Sequence, residues 1–293
     1  MRSISYYCPV SHTCILGEGP LWDHINQRIL WVDIFANEIH SYFIETGEHK
    51  IFNTVQKPGA IALNQNGEII AALENGFFKI VLETGSIKEI INPKTREETR
   101  FNDGKCDPAG RFWAGTLQEP GNKPVGRLYM LMNNGTTQTM LSGLSISNGM
   151  AWAPDGNTFY FVDTATLRIA AYDFNAQTGK ITNERICVQI PEKDGYPDGM
   201  TIDNEGMLWV ALWDGWKIAR YNPLTGKEVL SIPLPVARPT SCIFGGKDLD
   251  DIYITSATFG LDEKSLSNQP LAGKLFVIKN SGFRGLPTYI CEL

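Results

Sequence analysis

Five steps along this chain place a residue directly before a glycine and a short apolar run: Glu18-Gly19, Pro58-Gly59, Asp103-Gly104, Asn148-Gly149 and Asp198-Gly199. Four of the five leading residues carry a side-chain oxygen, and the steps are 40, 45, 45 and 50 residues apart. A period of that length belongs to stacked or radially arranged units rather than to helix pairs or βαβ crossovers. In a radial arrangement equivalent positions meet at the axis. Glu18, Asp103, Asn148 and Asp198 then converge on one mouth of a central channel as hard oxygen donors suited to a cation.

Other catalytic chemistries lack their residues. All four histidines, His12, His24, His40 and His49, fall in the first 50 positions, and none is spaced as HxxxH or HxH. That distribution argues against a histidine-rich zinc site at the channel mouth and against a serine-histidine-acid triad, and no GxSxG elbow is present. A glycine-rich phosphate loop is also missing. What remains is oxygen-ligated metal together with acid–base work by carboxylates.

The elements that must position these residues are legible as repeated hairpins. Gly104 leads through Asp107-Pro108-Ala109-Gly110 to Phe112-Trp113, Gly149 through Pro154-Asp155-Gly156 to Phe159–Val162, and Gly199 through Asp203–Gly206 to Leu208-Trp209-Val210. Each reads as two β-rich runs around a glycine-bearing turn. Gly59 repeats the layout through Asn64–Gly67 to Ile69-Ile70, and the first copy runs from Glu18 through Asn26-Gln27 to Ile29–Val32 without a turn glycine. A sixth, weaker copy runs from Ser241–Phe244 through Gly245–Asp248 to Ile252-Tyr253-Ile254. Most copies add two further strands, such as Ile169–Tyr172 and Lys217–Tyr221. Six units of four strands predict an all-β, six-bladed β-propeller with antiparallel blades around a channel, as one domain over residues 1–293. Ring closure is expected where Ile4–Tyr7 pairs with the last unit near Lys274–Ile278, removing exposed sheet edges.

Composition narrows the partners. The chain has 293 residues, is 43% hydrophobic and 20% charged, and carries a net charge of −6 without a basic stretch, which argues against nucleic acid and anionic membrane. No apolar run approaches the ~18 residues of a membrane span, and the opening residues do not form an export signal. Six scattered cysteines without CxxC spacing read as free or buried thiols in a reducing compartment, so the expected location is cytoplasmic. The expected state is a monomer.

At this point the residues resemble a known family. Leu16-Gly17-Glu18-Gly19-Pro20 with Trp22, Arg100–Lys105 with Asp107, Ser147-Asn148-Gly149, Tyr196–Met200 and Cys242–Gly246 stand in the order found in the regucalcin (senescence marker protein)/gluconolactonase/luciferin-regenerating-enzyme family of six-bladed sugar lactonases. The likeness extends over essentially the whole chain. It implies a single divalent ion (Ca²⁺, Zn²⁺, Mn²⁺, Mg²⁺ or Fe²⁺) held by Glu18, Asn148 and Asp198, with Asp198 doubling as the catalytic carboxylate. It further implies substrate-binding roles for Arg100 and Asn102, with Asp103 beside the metal. One departure is visible: where animal regucalcins place a substrate-contacting Glu, this chain has Pro120, and Glu119 stands one residue before it.

The implied reaction is hydrolysis of a sugar (aldono-) lactone to the free acid, in carbohydrate metabolism, with the cation polarising the carbonyl and Asp198 taking a proton from water. A calcium-dependent phosphotriesterase, a non-enzymatic calcium-binding regulator and a purely structural propeller are the alternatives. Taken singly, an Asp or Asn before Gly is an ordinary turn element. Lys105 and Asp107 read as structural, and Trp31, Trp113, Trp152 and Trp209 as blade core, while Trp213 and Trp216 around Asp214-Gly215 are candidates for the pocket rim.

Overall fold

The computed structural model describes residues 5–93, 98–121 and 123–293. Six antiparallel sheets follow one another along the chain, each meandering from an inner strand outward. The inner strands are Gly17–Asp23, Pro58–Leu63, Thr99–Cys106, Ser147–Trp152, Tyr196–Ile202 and Pro239–Gly245. Each touches the next in cyclic order, and the sixth returns to the first, so the sheets are the blades of a six-bladed propeller. Inner strands are buried along almost their whole length, because each is packed between the inner strands of the two neighbouring blades around the channel. Most combine polar residues near the residue-glycine step with a short apolar run, such as Leu21-Trp22 or Met150-Ala151-Trp152. The outer strands His49–Asn53 and Lys227–Pro233 are largely exposed and carry charge.

Five blades have four strands, and the sixth has three, Pro239–Gly245, Asp251–Ser256 and Phe276–Ile278. Its fourth position is filled by the start of the chain. Tyr7 N donates to Val277 O at 3.0 Å and Val277 N to Tyr7 O at 2.8 Å. Tyr7 thus closes the ring where the sequence places closure; Ile4 lies outside the described residues. A short helix, Glu263–Asn268, interrupts the sixth blade and is capped by Asp262, which accepts from Ser265 N at 2.8 Å.

The repeated residue-glycine steps do not lie in turns. They sit within the inner strands, where the ladder slips: register shifts fall between Glu18 and Leu21, Pro58 and Ala60, Ser147 and Met150, and Pro197 and Met200. The third inner strand slips between its Asp103 and Phe101 pairings, and the sixth between Pro239 and Ser241. A bulge puts two residues opposite one and re-aims a side chain, here toward the axis. The glycine answers a second need, close approach of neighbouring inner strands. A Cβ on Gly149 would lie 2.6 Å from Asp198 O, and one on Gly59 2.5 Å from Phe101 O.

The turn between the first two strands of a blade is held by a buried acid. Asp107 Oδ1 accepts from Ala109 N and Arg111 N, while its Oδ2 accepts from Arg111 Nε at 2.6 Å and Trp113 Nε1 at 2.9 Å. Asp203 repeats this with Glu205 N and Met207 N, Trp209 Nε1 at 2.9 Å and Arg220 Nε at 2.7 Å. Asp107 is therefore structural, and the tryptophans Trp31, Trp113, Trp152 and Trp209 are core, as their strand positions predict. Among the described residues all six cysteines are free thiols, and no helix is long and apolar enough to cross a membrane.

Replacing Asp107 by Ala leaves a buried guanidinium uncompensated and should lower unfolding free energy by about 3–5 kcal/mol. Asp155→Ala, in the corresponding exposed turn of the fourth blade, should change it by about 0.5 kcal/mol or less. Urea unfolding followed by tryptophan fluorescence measures both.

Candidate active site

The bulges bring Glu18, Asp103, Asn148 and Asp198 to one mouth of the channel, all buried. Glu18 Oε2 accepts from Gly19 N at 2.8 Å, and Asp103 Oδ1 from Gly104 N at 2.6 Å. Glu18 and Asp198 meet carboxyl to carboxyl within hydrogen-bond reach. Burial, then Asp198 and Asp103, drive the Glu18 carboxyl well above its ordinary range. Burial does the same to Asp198, opposed by the Asn148 amide and reinforced by Asp103. Asp103 is raised by burial, with Lys105 pulling the other way.

Lys105 is a cation inside this cluster. Its Nζ donates to Met200 O at 2.6 Å, and burial lowers its ammonium from the usual value while Asp103 supports it. Were all three carboxyls ionised, the single ammonium would leave an excess of two negative charges at the channel mouth, which is why burial and mutual repulsion hold them toward the protonated form. A divalent cation would cancel that excess.

Asn148 supplies the decisive detail. Thr164 Oγ1 donates to Pro197 O at 2.8 Å, so it meets Asn148 with lone pairs only, and Asn148 Nδ2 donates to it at 3.0 Å. The amide orientation follows, with the carbonyl oxygen turned away from Thr164. That Oδ1 is buried and has no hydrogen-bond partner. An unpartnered buried acceptor costs about 1–3 kcal/mol unless something binds it, and here it stands beside two carboxylates that repel each other. The donor set fits a hard cation.

Beside this cluster lies a polar edge. Arg100 Nη1 donates to Phe101 O at 3.0 Å and Asn102 Oδ1 at 2.9 Å, and Asn102 Nδ2 donates to Ser147 O at 3.0 Å. Arg100 Nε pairs with Glu119 Oε1 at 3.0 Å, and Lys57 Nζ closes on Glu119 Oε2. Burial works to raise the Glu119 carboxyl, but Arg100 and Lys57 outweigh it and hold it below the usual range. Phe35 underlies both cations, 5.6 Å from the Arg100 guanidinium and 5.1 Å from Lys57 Nζ, and packs on Phe259 at 4.7 Å. All seven residues singled out from the sequence thus fall into two adjoining groups. Of the two rim tryptophans, Trp213 packs against the same apolar cluster as Phe35 and lies 4.7 Å under the Arg238 guanidinium, whereas Trp216 is exposed.

The sequence reading missed Lys57, Phe35 and Thr164. A Lys before Pro-Gly carries no signal that separates it from a surface charge, and Thr164 sits in the turn Thr164–Thr166 after a strand. Lys105, whose strand position suggests a structural role, donates to Met200 O and lies against Asp103. Further along the channel the lining becomes apolar, with Leu21, Ile61, Trp152, Ile202 and Ile243, and Leu286–Tyr289 lies across it.

Residues 16–258 match the family model described as SMP-30/Gluconolactonase/LRE-like region. The chain belongs to that family. A Bacillus subtilis protein provisionally named the sugar lactone lactonase YvrE is 39% identical, covering 93% of this chain and 94% of its own length. Regucalcin of Gallus gallus is 36% identical over 99% of each chain. The crystal structure of a regucalcin from Agrobacterium tumefaciens, described as a calcium-binding protein, superposes with a TM-score of 0.94 at 25% identity, covering 99% of this chain and 98% of that one.

In protein kept in chelator, carboxyls raised above their unfolded values hold protons that the unfolded chain has released. Stability should therefore fall as pH rises above about 4, the ordinary carboxylate range. Asp198→Asn removes one of the buried like charges and should raise the melting temperature of chelated protein at pH 7 while flattening that pH dependence, measured by calorimetry across pH.

Proposed function

We propose that this chain hydrolyses the cyclic ester of a sugar lactone, with Glu18, Asn148 and Asp198 holding a divalent cation. The observation that carries the reading is the Asn148 carbonyl oxygen, buried and unpartnered on a side chain that touches Asp198 of the Glu18–Asp198 pair, in a chain of the SMP-30/gluconolactonase family. When bound, the cation supplies Lewis-acid polarisation of the lactone carbonyl and charge stabilisation of the oxyanion formed on attack. Oxygen donors suit Ca²⁺, Mg²⁺ or Mn²⁺, and the open positions of a three-ligand set also admit Zn²⁺ or Fe²⁺.

The chain's own residues do the rest. A carboxylate oxygen of Asp198 accepts a proton from the attacking water as the new C–O bond forms at the carbonyl carbon. The ring C–O bond then breaks, and the same proton passes to the departing alkoxide, giving the open hydroxy acid. Asp103 lies close enough to Asp198 to disfavour further negative charge there, which keeps Asp198 a competent base.

Arg100, Asn102 and Glu119 orient the substrate. Arg100 donates, Asn102 both donates and accepts, and Glu119 stays ionised as an acceptor between Arg100 and Lys57. Donors and acceptors alternating at this density match vicinal hydroxyls. A hydrophobic phosphoester would leave them unpaired at a cost of about 1–3 kcal/mol each, so the polyol reading is favoured over the phosphotriesterase.

Chelated protein resupplied singly with Ca²⁺, Mg²⁺, Mn²⁺, Zn²⁺ or Fe²⁺ should hydrolyse at least one member of an aldonolactone panel in a pH-stat. Asp198→Ala should lose roughly 10²–10⁴-fold in kcat. Glu119→Gln should raise KM more than it lowers kcat. A folded protein that turns over no lactone with any cation, or an Asp198→Ala variant with full turnover, defeats the proposal.

A further inference from the structure

Three of the four histidines, far apart in spacing terms, gather on the flank of the first blade, away from the channel. His12 and Cys14 come from the segment that runs from the ring-closing Tyr7 bridge into the first inner strand; Glu38 and His40 come from the third strand of that blade, Glu38–Phe43, and His49 from the fourth. Each of the two pairs is spaced i, i+2, which puts both side chains on one face of an extended segment. Donor atoms of His12, Cys14 and His40 all lie within 4.8 Å of one another. Glu38 Oε2 is 3.2 Å from His40 Nε2 and 3.6 Å from His12 Nε2.

Two details separate this cluster from a satisfied polar patch. His40 is fully buried, and its Nε2 has no hydrogen-bond partner; neither has Glu38 Oε2, although the two atoms are only 3.2 Å apart. They are near but not directed at each other. Two nitrogen or oxygen donors on one tetrahedral ion, with bonds of about 2.0–2.1 Å, lie roughly 3.3 Å apart, and the separations from Glu38 Oε2 straddle that value. The opposite ring nitrogen, His40 Nδ1, meets His49 Nε2 at 3.0 Å, the kind of outer hydrogen bond that fixes the tautomer of a ligating imidazole.

We propose that His12, Cys14 and His40, with Glu38 beside the two imidazoles, form a second metal site, selective for a zinc-class transition ion, which clips the ring-closing segment to the first blade. Imidazole and thiolate are softer donors than the all-oxygen set at the channel mouth and select zinc or cobalt over calcium or magnesium. Trp31 organises the cluster. Its ring stacks on His40 at 4.8 Å and 11°, and on His49 at 5.4 Å and 8°, while its Nε1 donates to Cys14 Sγ at 3.4 Å. Asp33 is engaged elsewhere, its carboxylate accepting from the backbone N–H groups of Ile15, Leu16 and Ala36, and so fixes the path of the chain just after Cys14. His12 and Glu38 are partly exposed and form the way in.

The site has no counterpart in the proposed reaction, and its test separates from that reaction by sulfur. Chelated full-length protein titrated with Co²⁺ should develop a near-ultraviolet thiolate-to-cobalt charge-transfer band with tetrahedral visible bands, saturating at one equivalent. Oxygen donors at the channel mouth cannot produce that band. Cys14→Ser should abolish it and His12→Gln should abolish it or weaken binding at least tenfold, with folding checked by circular dichroism. Zn²⁺ should displace the cobalt, excess Ca²⁺ should not, and Zn²⁺ should raise the melting temperature of the wild type more than that of His12→Gln. If His12→Gln does not fold, Glu38→Gln carries the same spectral readout. A wild type with no charge-transfer band, or a band that persists in Cys14→Ser or unchanged in the folded His12→Gln or Glu38→Gln protein, overturns the proposal.

Discussion

Glu18 and Asp198 stand carboxyl to carboxyl, buried at the channel mouth, with Asp103 close by. Ionised together, such carboxyls repel strongly in a medium of low dielectric, which drives them toward the protonated form, and the six-bladed ring holds their strands in place. Their positions are not adjustable one by one. Each acid sits on a bulged inner strand, and each inner strand is wedged between two neighbours at a separation that excludes a Cβ on Gly59 or Gly149. The strain of the cluster is therefore borne by packing around the whole ring, which includes Trp22, Trp113, Trp152 and Trp209 as fully buried wedges.

That arrangement explains a division of labour among the acids. Asp107 and Asp203 are as buried as the channel acids, yet each is surrounded by donors: two backbone N–H groups, an arginine and a tryptophan indole. Their charge is fully compensated, and they hold turns. Glu18, Asp103 and Asp198 have one ammonium among the three and a free amide oxygen alongside. The same side-chain chemistry thus serves stability where donors are supplied and remains poised for a ligand where they are withheld. Glu119 takes the middle position, kept ionised by Arg100 and Lys57 at the edge of the site.

The ring-closing segment adds a second economy of contacts. Tyr7 contributes the missing fourth strand of the last blade through two backbone hydrogen bonds. From there the chain crosses to the first blade, where Cys14 N donates to Gly273 O at 2.8 Å and Thr258 Oγ1 to Cys14 O at 3.1 Å. The histidine cluster lies along this crossing. Ring closure in a propeller joins the two ends of the sequence, so it is the one junction not reinforced by a short loop, and polar side chains concentrate where that junction needs holding.

The sequence by itself determined the architecture, because a propeller is written in short-range signals. The interval of 40–50 residues, the apolar inner runs and the turn residues are each local, and together they specify blades, their number and the four oxygen-bearing axial positions. The family match over residues 16–258 agrees with that reading. Local signals do not extend to encounters between blades. Lys57 and Glu119 are 62 residues apart, and Asn148 and Thr164 are joined across a strand and a turn, so neither contact has a spacing to recognise. The histidines make the point most plainly: they follow no ligand spacing, and although His40 and His49 meet across one hairpin, only the crossing from the last blade to the first brings His12 to the same face. The glycines, too, read as turn residues until the ring shows that they admit a neighbouring backbone. Tertiary structure decided these matters because side chains meet where strands are packed, and packing is a property of the closed ring rather than of any one blade.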